Sequence, residues 1–212
     1  MFKKMLIGFA LLFGGVAPAF ADGVTYDFTV NTSSVTGQAG SLDFQFNPGA
    51  LLTQSASLQI LNFSSNGTLG SSVLTGDTSG ALPGTVLFNN GSGFNDYFTG
   101  FTYGSTITFA VNLFGPAVVT PDGVSTSGST FAFSLFSDPA GTVPVLTSDT
   151  VNGFAALVNV NLDGSTTLTN NSSQLAISTP TTPAPEPGSL LLLASGLASL
   201  ALLMRRSVPS NS

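Results

Sequence analysis

The side chains able to do chemistry in this chain are almost all oxygen bearers. There are nine Asp and a single Glu, Glu186, while Cys, His and Trp are absent. The only basic residues are Lys3, Lys4, Arg205 and Arg206, so residues 5–204 hold no positive charge. This inventory excludes thiol and Ser–His–Asp nucleophiles, zinc centres, a P-loop lysine and an arginine clamp for phosphate. It also excludes an electrostatic hold on nucleic acid, which requires Lys and Arg against the phosphates. What remains is carboxylate, amide and hydroxyl chemistry.

Four candidates follow from spacing. Asp77-Thr78-Ser79-Gly80 invites comparison with the Asp-Thr-Gly loop of aspartic proteases. It is one residue too long and has no second copy to share a proton, so ordinary turn chemistry is expected. Glycoside hydrolysis needs two carboxyls about 5 to 10 Å apart, one with a raised pKa. The aspartates are scattered, mostly beside Gly or Pro, and no Trp, Arg or His accompanies them to orient a sugar. Calcium needs only oxygens, and Asn89, Asn90, Asn95 and Asp96 are the richest local supply, implying a weak site at most. Beside them Phe94, Tyr97, Phe98, Phe101 and Tyr103 offer a stacking surface for glycan, with Phe94, Tyr97 and Phe98 the nearest contacts. A buried cluster explains the same aromatics. No catalytic residue is assigned, and a non-enzymatic protein is expected.

These residues must be held by strands. Val24, Tyr26, Phe28 and Val30 alternate with polar neighbours, as do Leu42, Phe44 and Phe46. The same period of two aligns Ile107, Phe109, Val111 and Leu113, then Phe131, Phe133 and Leu135, then Ala156, Val158, Val160 and Leu162. Residues 55–63 carry apolar side chains on both faces. Asn, Asp, Pro and Gly punctuate the runs, and Asp163-Gly164 is the strongest hairpin signal. The pattern predicts an all-β domain over residues 22–179, an antiparallel β-sandwich of jelly-roll-like type.

Both ends differ from this body. Lys3 and Lys4, an apolar run over residues 5–16, and Ala19-Phe20-Ala21 form the charge, core and small-residue exit of a secretory signal helix, residues 1–21. A Pro/Thr linker, residues 180–187, precedes an apolar segment, residues 188–204, and a basic tail, residues 205–212. Seventeen helical residues span about 25 Å, enough to cross a bilayer with little tilt, and the arginines orient the tail to the cytoplasm.

Pro185-Glu186-Pro187, the apolar segment and Arg205-Arg206, in that order, resemble the PEP-CTERM sorting signal, a tail also labelled ice-binding protein C-terminal. The resemblance implies a Gram-negative exported protein made alongside exopolysaccharide and biofilm. It implies signal peptidase and an exosortase as processing partners, and transient anchoring in the inner membrane through residues 188–204. Within the body, Gly40-Ser-Leu-Asp-Phe-Gln-Phe-Asn-Pro-Gly49, residues 75–84 and Phe94-Asn-Asp-Tyr-Phe98 resemble an uncharacterised family of PEP-CTERM proteins to which no activity attaches. The expected function is a structural or adhesive protein of the cell surface or extracellular matrix. A calcium-dependent glycan-binding module is the alternative, and a secreted carbohydrate-active enzyme the third. Because Ala19 and Ala21 suit the small pockets of a signal peptidase, the exported chain should begin at Asp22. N-terminal sequencing that returns Met1 would contradict the signal assignment.

Overall fold

The computed structural model describes residues 23–178 and Pro180. The signal peptide with Ala19 and Ala21, the Pro185-Glu186-Pro187 motif, residues 188–204 and Arg205-Arg206 lie outside the described residues. The described chain is all-β, built from two antiparallel sheets of six strands each. One holds β1 (Val24–Asn31), β3 (Ser57–Ser65), β5 (Thr78–Gly80), β6 (Val86–Asn89), β8 (Thr106–Phe114) and β12 (Leu175–Ile177) in the order β12-β1-β8-β3-β6-β5. The other holds β2 (Ala39–Pro48), β4 (Thr68–Thr75), β7 (Asp96–Thr102), β9 (Ser129–Phe136), β10 (Phe154–Val160) and β11 (Thr166–Asn170) in the order β11-β10-β9-β2-β7-β4. A 3₁₀ turn at Ser33–Val35 and one helical turn, α1, at Pro116–Val119 complete the elements.

The alternating residues become the core because successive strand side chains point to opposite faces. Tyr26, Phe28 and Val30 are buried, as are Leu42, Phe44 and Phe46, and all belong to one hydrophobic cluster fed by both sheets. At its centre four phenylalanines interlock. Phe28 stacks on its register partner Phe109 at 4.8 Å between centroids, and Phe44 lies 5.0 Å from its own partner Phe133. Across the sheets, Phe109 meets Phe44 at 5.3 Å and Phe133 at 5.0 Å, both edge to face. That geometry suits the ring quadrupoles and adds to the burial of area.

Two strands depart from simple alternation. The two-faced apolar pattern of residues 55–63 arises from a phase slip. Leu58 and Ile60 are buried, the register with β8 shifts between Leu61 and Ser64, and Asn62 takes φ 54°. This bulge returns Phe63 to the buried side, at 7% exposure, although its odd position would otherwise turn it outward. The run over 154–162 ends early at Val160, because Asn161 already receives a turn bond from Gly164 N–H. Leu162 is exposed in that turn instead of continuing the buried row. Asp163-Gly164 does close the β10–β11 hairpin, with Gly164 at φ 81°.

Removing a ring from the central four opens a cavity that neighbours in two sheets cannot fill. Phe133→Ala should lower unfolding free energy by about 3–5 kcal/mol in urea titrations. A loss under about 1 kcal/mol would mean the cluster is not tightly packed.

Candidate functional site

β2 and β7 lie side by side, with Asp43 opposite Phe98 and Gln45 opposite Asp96. Leu42, Phe44, Phe46, Tyr97 and Phe101 occupy the core face, so Asp43, Gln45, Asp96 and Phe98 share the outer face. Asp43 and Asp96 are thus diagonal neighbours, close enough for their carboxyls to hydrogen-bond. A ladder of amides steadies the pair. Gln45 Nε2 donates to Asp43 Oδ2 at 2.8 Å, Asn47 Nδ2 donates to Gln45 Oε1 at 3.2 Å, and the Asn95 N–H donates to Asn47 Oδ1 at 2.7 Å. Buried Ser134 of β9 lies opposite Asp43.

Asp43 Oδ1 and Asp96 Oδ1 are both buried with no donor among the described residues. Two ionised carboxylates cannot bond each other, and no cationic side chain exists in the described chain to stand between them. A shared proton resolves both problems, since a protonated carboxyl becomes a donor. Burial raises the Asp43 carboxyl above its ordinary value of 3.8, although the bonds from Asp96 and Gln45 pull the other way. Burial first, then the hydrogen bond and charge of Asp43, push Asp96 up to about 8. Carboxyls in hydrogen-bond contact are closer than glycoside hydrolysis requires, and resemble a proton-sharing dyad instead.

The other aspartates are held differently. Asp122, Asp149 and Asp163 accept bonds from Ser125, Asn152 and Ser165, and each carboxyl is held below its ordinary value. At Asp138 desolvation opposes the N–H donors of Val143, Thr142 and Ala140, and the donors win. Asp138 thereby fixes the loop whose Gly141, at φ 72°, rests on Phe98. A Cβ there would approach the Phe98 ring to 2.7 Å.

In the sequence-suggested calcium loop the amides of Asn89, Asn90 and Asn95 are hydrogen-bonded to other segments. Asn95 is wholly buried. Its Oδ1 accepts the Asp77 N–H at 2.7 Å, while its Nδ2 donates to the carbonyls of Phe46 and Ser92. Asn90 receives the Ala56 N–H and donates to Gln54 O and Ser129 Oγ. Asn89 accepts from Ser57 and donates to Asp77. These amides tie loops together. Asp96, next along the strand from Asn95, turns to the outer face and Asp43. Among the described residues no group of three or more acids forms a metal cluster. The aromatic candidates divide in the same way. Tyr97 is 2% exposed, with its hydroxyl receiving the Leu82 N–H, so it cannot meet a glycan. Phe101 and Tyr103 are also core residues, and the Tyr103 hydroxyl sits 3.0 Å from the carbonyls of Ser41 and Phe136. Phe94 stays exposed, and Phe98 is half-buried beneath Gly141. Of Asp77-Thr78-Ser79-Gly80, expected as a turn, only Asp77 lies in the bend after β4; Thr78–Gly80 form edge strand β5, paired with β6.

The Asp43–Asp96 pair had one legible sign. Asp is disfavoured inside strands, and Asp43 sits between Leu42 and Phe44 with no turn residue beside it. Its partner lies 53 residues away, and only the β2–β7 register identifies it. Elsewhere, a groove of about 630 Å³ is lined by Leu146, Thr147, Ser148 and residues 170–174, all without charge. No helix among the described residues is long and apolar enough to cross a membrane. No family model, curated protein or solved structure matches the chain.

The folded pair keeps a proton that the unfolded chain releases above its ordinary value of 3.8. Its contribution to stability is complete below that value and is lost as pH climbs through about 8. Melting temperature should therefore fall between about pH 5 and about pH 9. Asp96→Asn, with a permanent donor, should flatten that profile and melt above the wild type at the alkaline end. A wild-type melting point that does not change across this range would rule out the shared proton.

Proposed function

We propose that this protein is an exported, non-catalytic component of the cell surface or extracellular matrix, delivered by a PEP-CTERM/exosortase route. The observation that carries the reading is the arrangement of its charge. Every basic residue lies in the terminal segments, and the only acid between Asp163 and Arg205 is Glu186, set between two prolines. Two prolines hold a backbone extended and deny it helix bonds, which keeps such a segment accessible to a processing enzyme at the membrane face. Glu186 is the one strong handle a recognition pocket has there. Arg205 and Arg206 stop an anchored segment from sliding outward.

The body is consistent with a structural role. Asp122, Asp138, Asp149 and Asp163 are engaged in holding turns, and the Asn89, Asn90 and Asn95 amides in holding loops. We read its two sheets as a jelly-roll-like sandwich. In that topology a folded ribbon pairs its first strand with its eighth, second with seventh and third with sixth. β1 pairs β8, β2 pairs β7 and β3 pairs β6, with β9 to β12 extending the two sheets on one side.

Glu186→Ala should leave the body folded and anchored but retain the chain at full C-terminal length in the cytoplasmic membrane. Loss of the host exosortase should give the same fractionation. Release of the Glu186 variant at the normal rate would reduce the tail to a plain anchor.

A further inference from the structure

We infer that the protein assembles with further copies of itself head to tail, by pairing the free edge of β4 with the free edge of β11 on the next copy. The inference deepens the structural reading above, naming the partner as a second copy of this chain.

The first observation is which edges stay open. The sheet containing β1 ends in β5 and β12, each of three residues, too short to template a lasting ladder. The sheet containing β2 ends in β4, of eight residues, and β11, of five. Among the described residues no strand pairs with the outer side of either. Seven of the eight β4 residues are exposed, including Val73 at 61%. Edge strands are normally guarded by Lys, Pro, an inward charge or a β-bulge. β4 and β11 have no Lys, Pro or charge; the register shift between Leu69 and Ser72 is confined to the first half of β4 and leaves Ser72 to Thr75 in regular register.

Charge then selects the partner. Every formal charge among the described residues is negative, so two copies repel wherever their aspartates face each other. Thr68–Thr75 and Thr166–Asn170 carry no charge; the edges β5 and β12 carry none either but are only three residues long, so length leaves β4 and β11 as the edges where copies can meet without that cost. Direction fits as well. The sheet has six strands, all antiparallel, so its two edges run in opposite senses. Setting β11 of one copy against β4 of another continues the alternation and leaves one edge open at each end. A two-fold β4–β4 pair would cover one kind of edge and leave every β11 bare. Head-to-tail pairing covers both with a single contact and does not close. A five-residue strand pair falls short of the about 1,000 Å² of a self-standing interface, so each junction is weak and forms at high local concentration.

The chain has no cysteine, which permits a direct test on the full-length protein in mild detergent at high salt, where acidic repulsion is screened. Val73 and Thr169 are both exposed on the outer face of this sheet, through their register partners Phe98 and Leu157. A Val73→Cys/Thr169→Cys chain treated with a short thiol crosslinker should give a ladder of dimers, trimers and higher species. Each single variant, with one thiol per junction, should give no crosslinked species. Adding Thr75→Glu and Thr167→Glu, each two residues from the cysteine of its strand and on the same outer face, sets like charges on the facing edges and should abolish the ladder while the melting curve remains that of a folded protein. No ladder at any concentration would overturn the proposal. Products that stop at a dimer, or a Val73→Cys single variant that crosslinks equally well, would also overturn it by replacing the head-to-tail contact with a two-fold one. Delivery to the surface is read separately, by fractionation of the Glu186 variant, so failure here leaves that reading standing.

Discussion

Aspartates in this fold have no cation to pair with, because residues 5–204 contain neither Lys nor Arg nor His. A carboxylate in such a body can be stabilised in only three ways: by water, by fixed N–H dipoles, or by a proton. The structure uses the last two in different places. Loop aspartates such as Asp122, Asp149 and Asp163 gather backbone N–H groups and remain easily ionised. Strand aspartates Asp43 and Asp96, half-buried diagonal neighbours, bond to each other, and burial pushes both carboxyls above their ordinary value. In most domains an arginine would occupy the second role, and the pair would then be least sensitive to pH near neutrality. Here the same burial makes neutral and alkaline pH the sensitive side.

β2 joins that electrostatic arrangement to the core. Its inward side chains, Leu42, Phe44 and Phe46, are fully buried, and Phe44 touches both Phe109 and Phe133 in the central cluster. Its outward side chains, Asp43, Gln45 and Asn47, form the amide and carboxyl ladder. Burial of Phe44 together with its β7 partner Tyr97 on the core face fixes the register of β2 against β7, and that register brings Asp43 to Asp96. A one-residue slip would expose the phenylalanines and bury the acids, so hydrophobic burial holds the carboxyl pair in place.

The same charge distribution shapes the outside of the molecule. Every formal charge among the described residues is negative, and of the strands only β1, β2 and β7 carry one. Amides such as those of half-buried Asn90 and buried Asn95 brace the loops, each bonded to two or more polar groups of other segments. The body is acidic and free of lysine, and all the basic residues lie in the terminal segments.

The amino-acid pattern alone marked β1, β2, β8, β9 and β10 and the face that each buries, but gave no sign of β4, β5, β6, β7 or β12. Phe28, Phe44, Phe109 and Phe133 fall on apolar rows of period two, and a strand's geometry gives such rows one destination. It likewise determined where turns fall, as at Asp163-Gly164, since φ there is a local property. It did not show that Phe63 remains inward, because a bulge at Asn62 resets the phase and bulges leave no periodic trace. Nor did it separate Tyr97 from Phe94 and Phe98, or Asn95 from an ion ligand. Those assignments depend on which segment packs opposite, and Leu82, Phe46 and Asp77 are remote in sequence. The Asp43–Asp96 pair is the clearest case. Strand propensity marks Asp43 as unusual, yet a proton is shared between two strands only once their register exists, and tertiary packing alone sets that register.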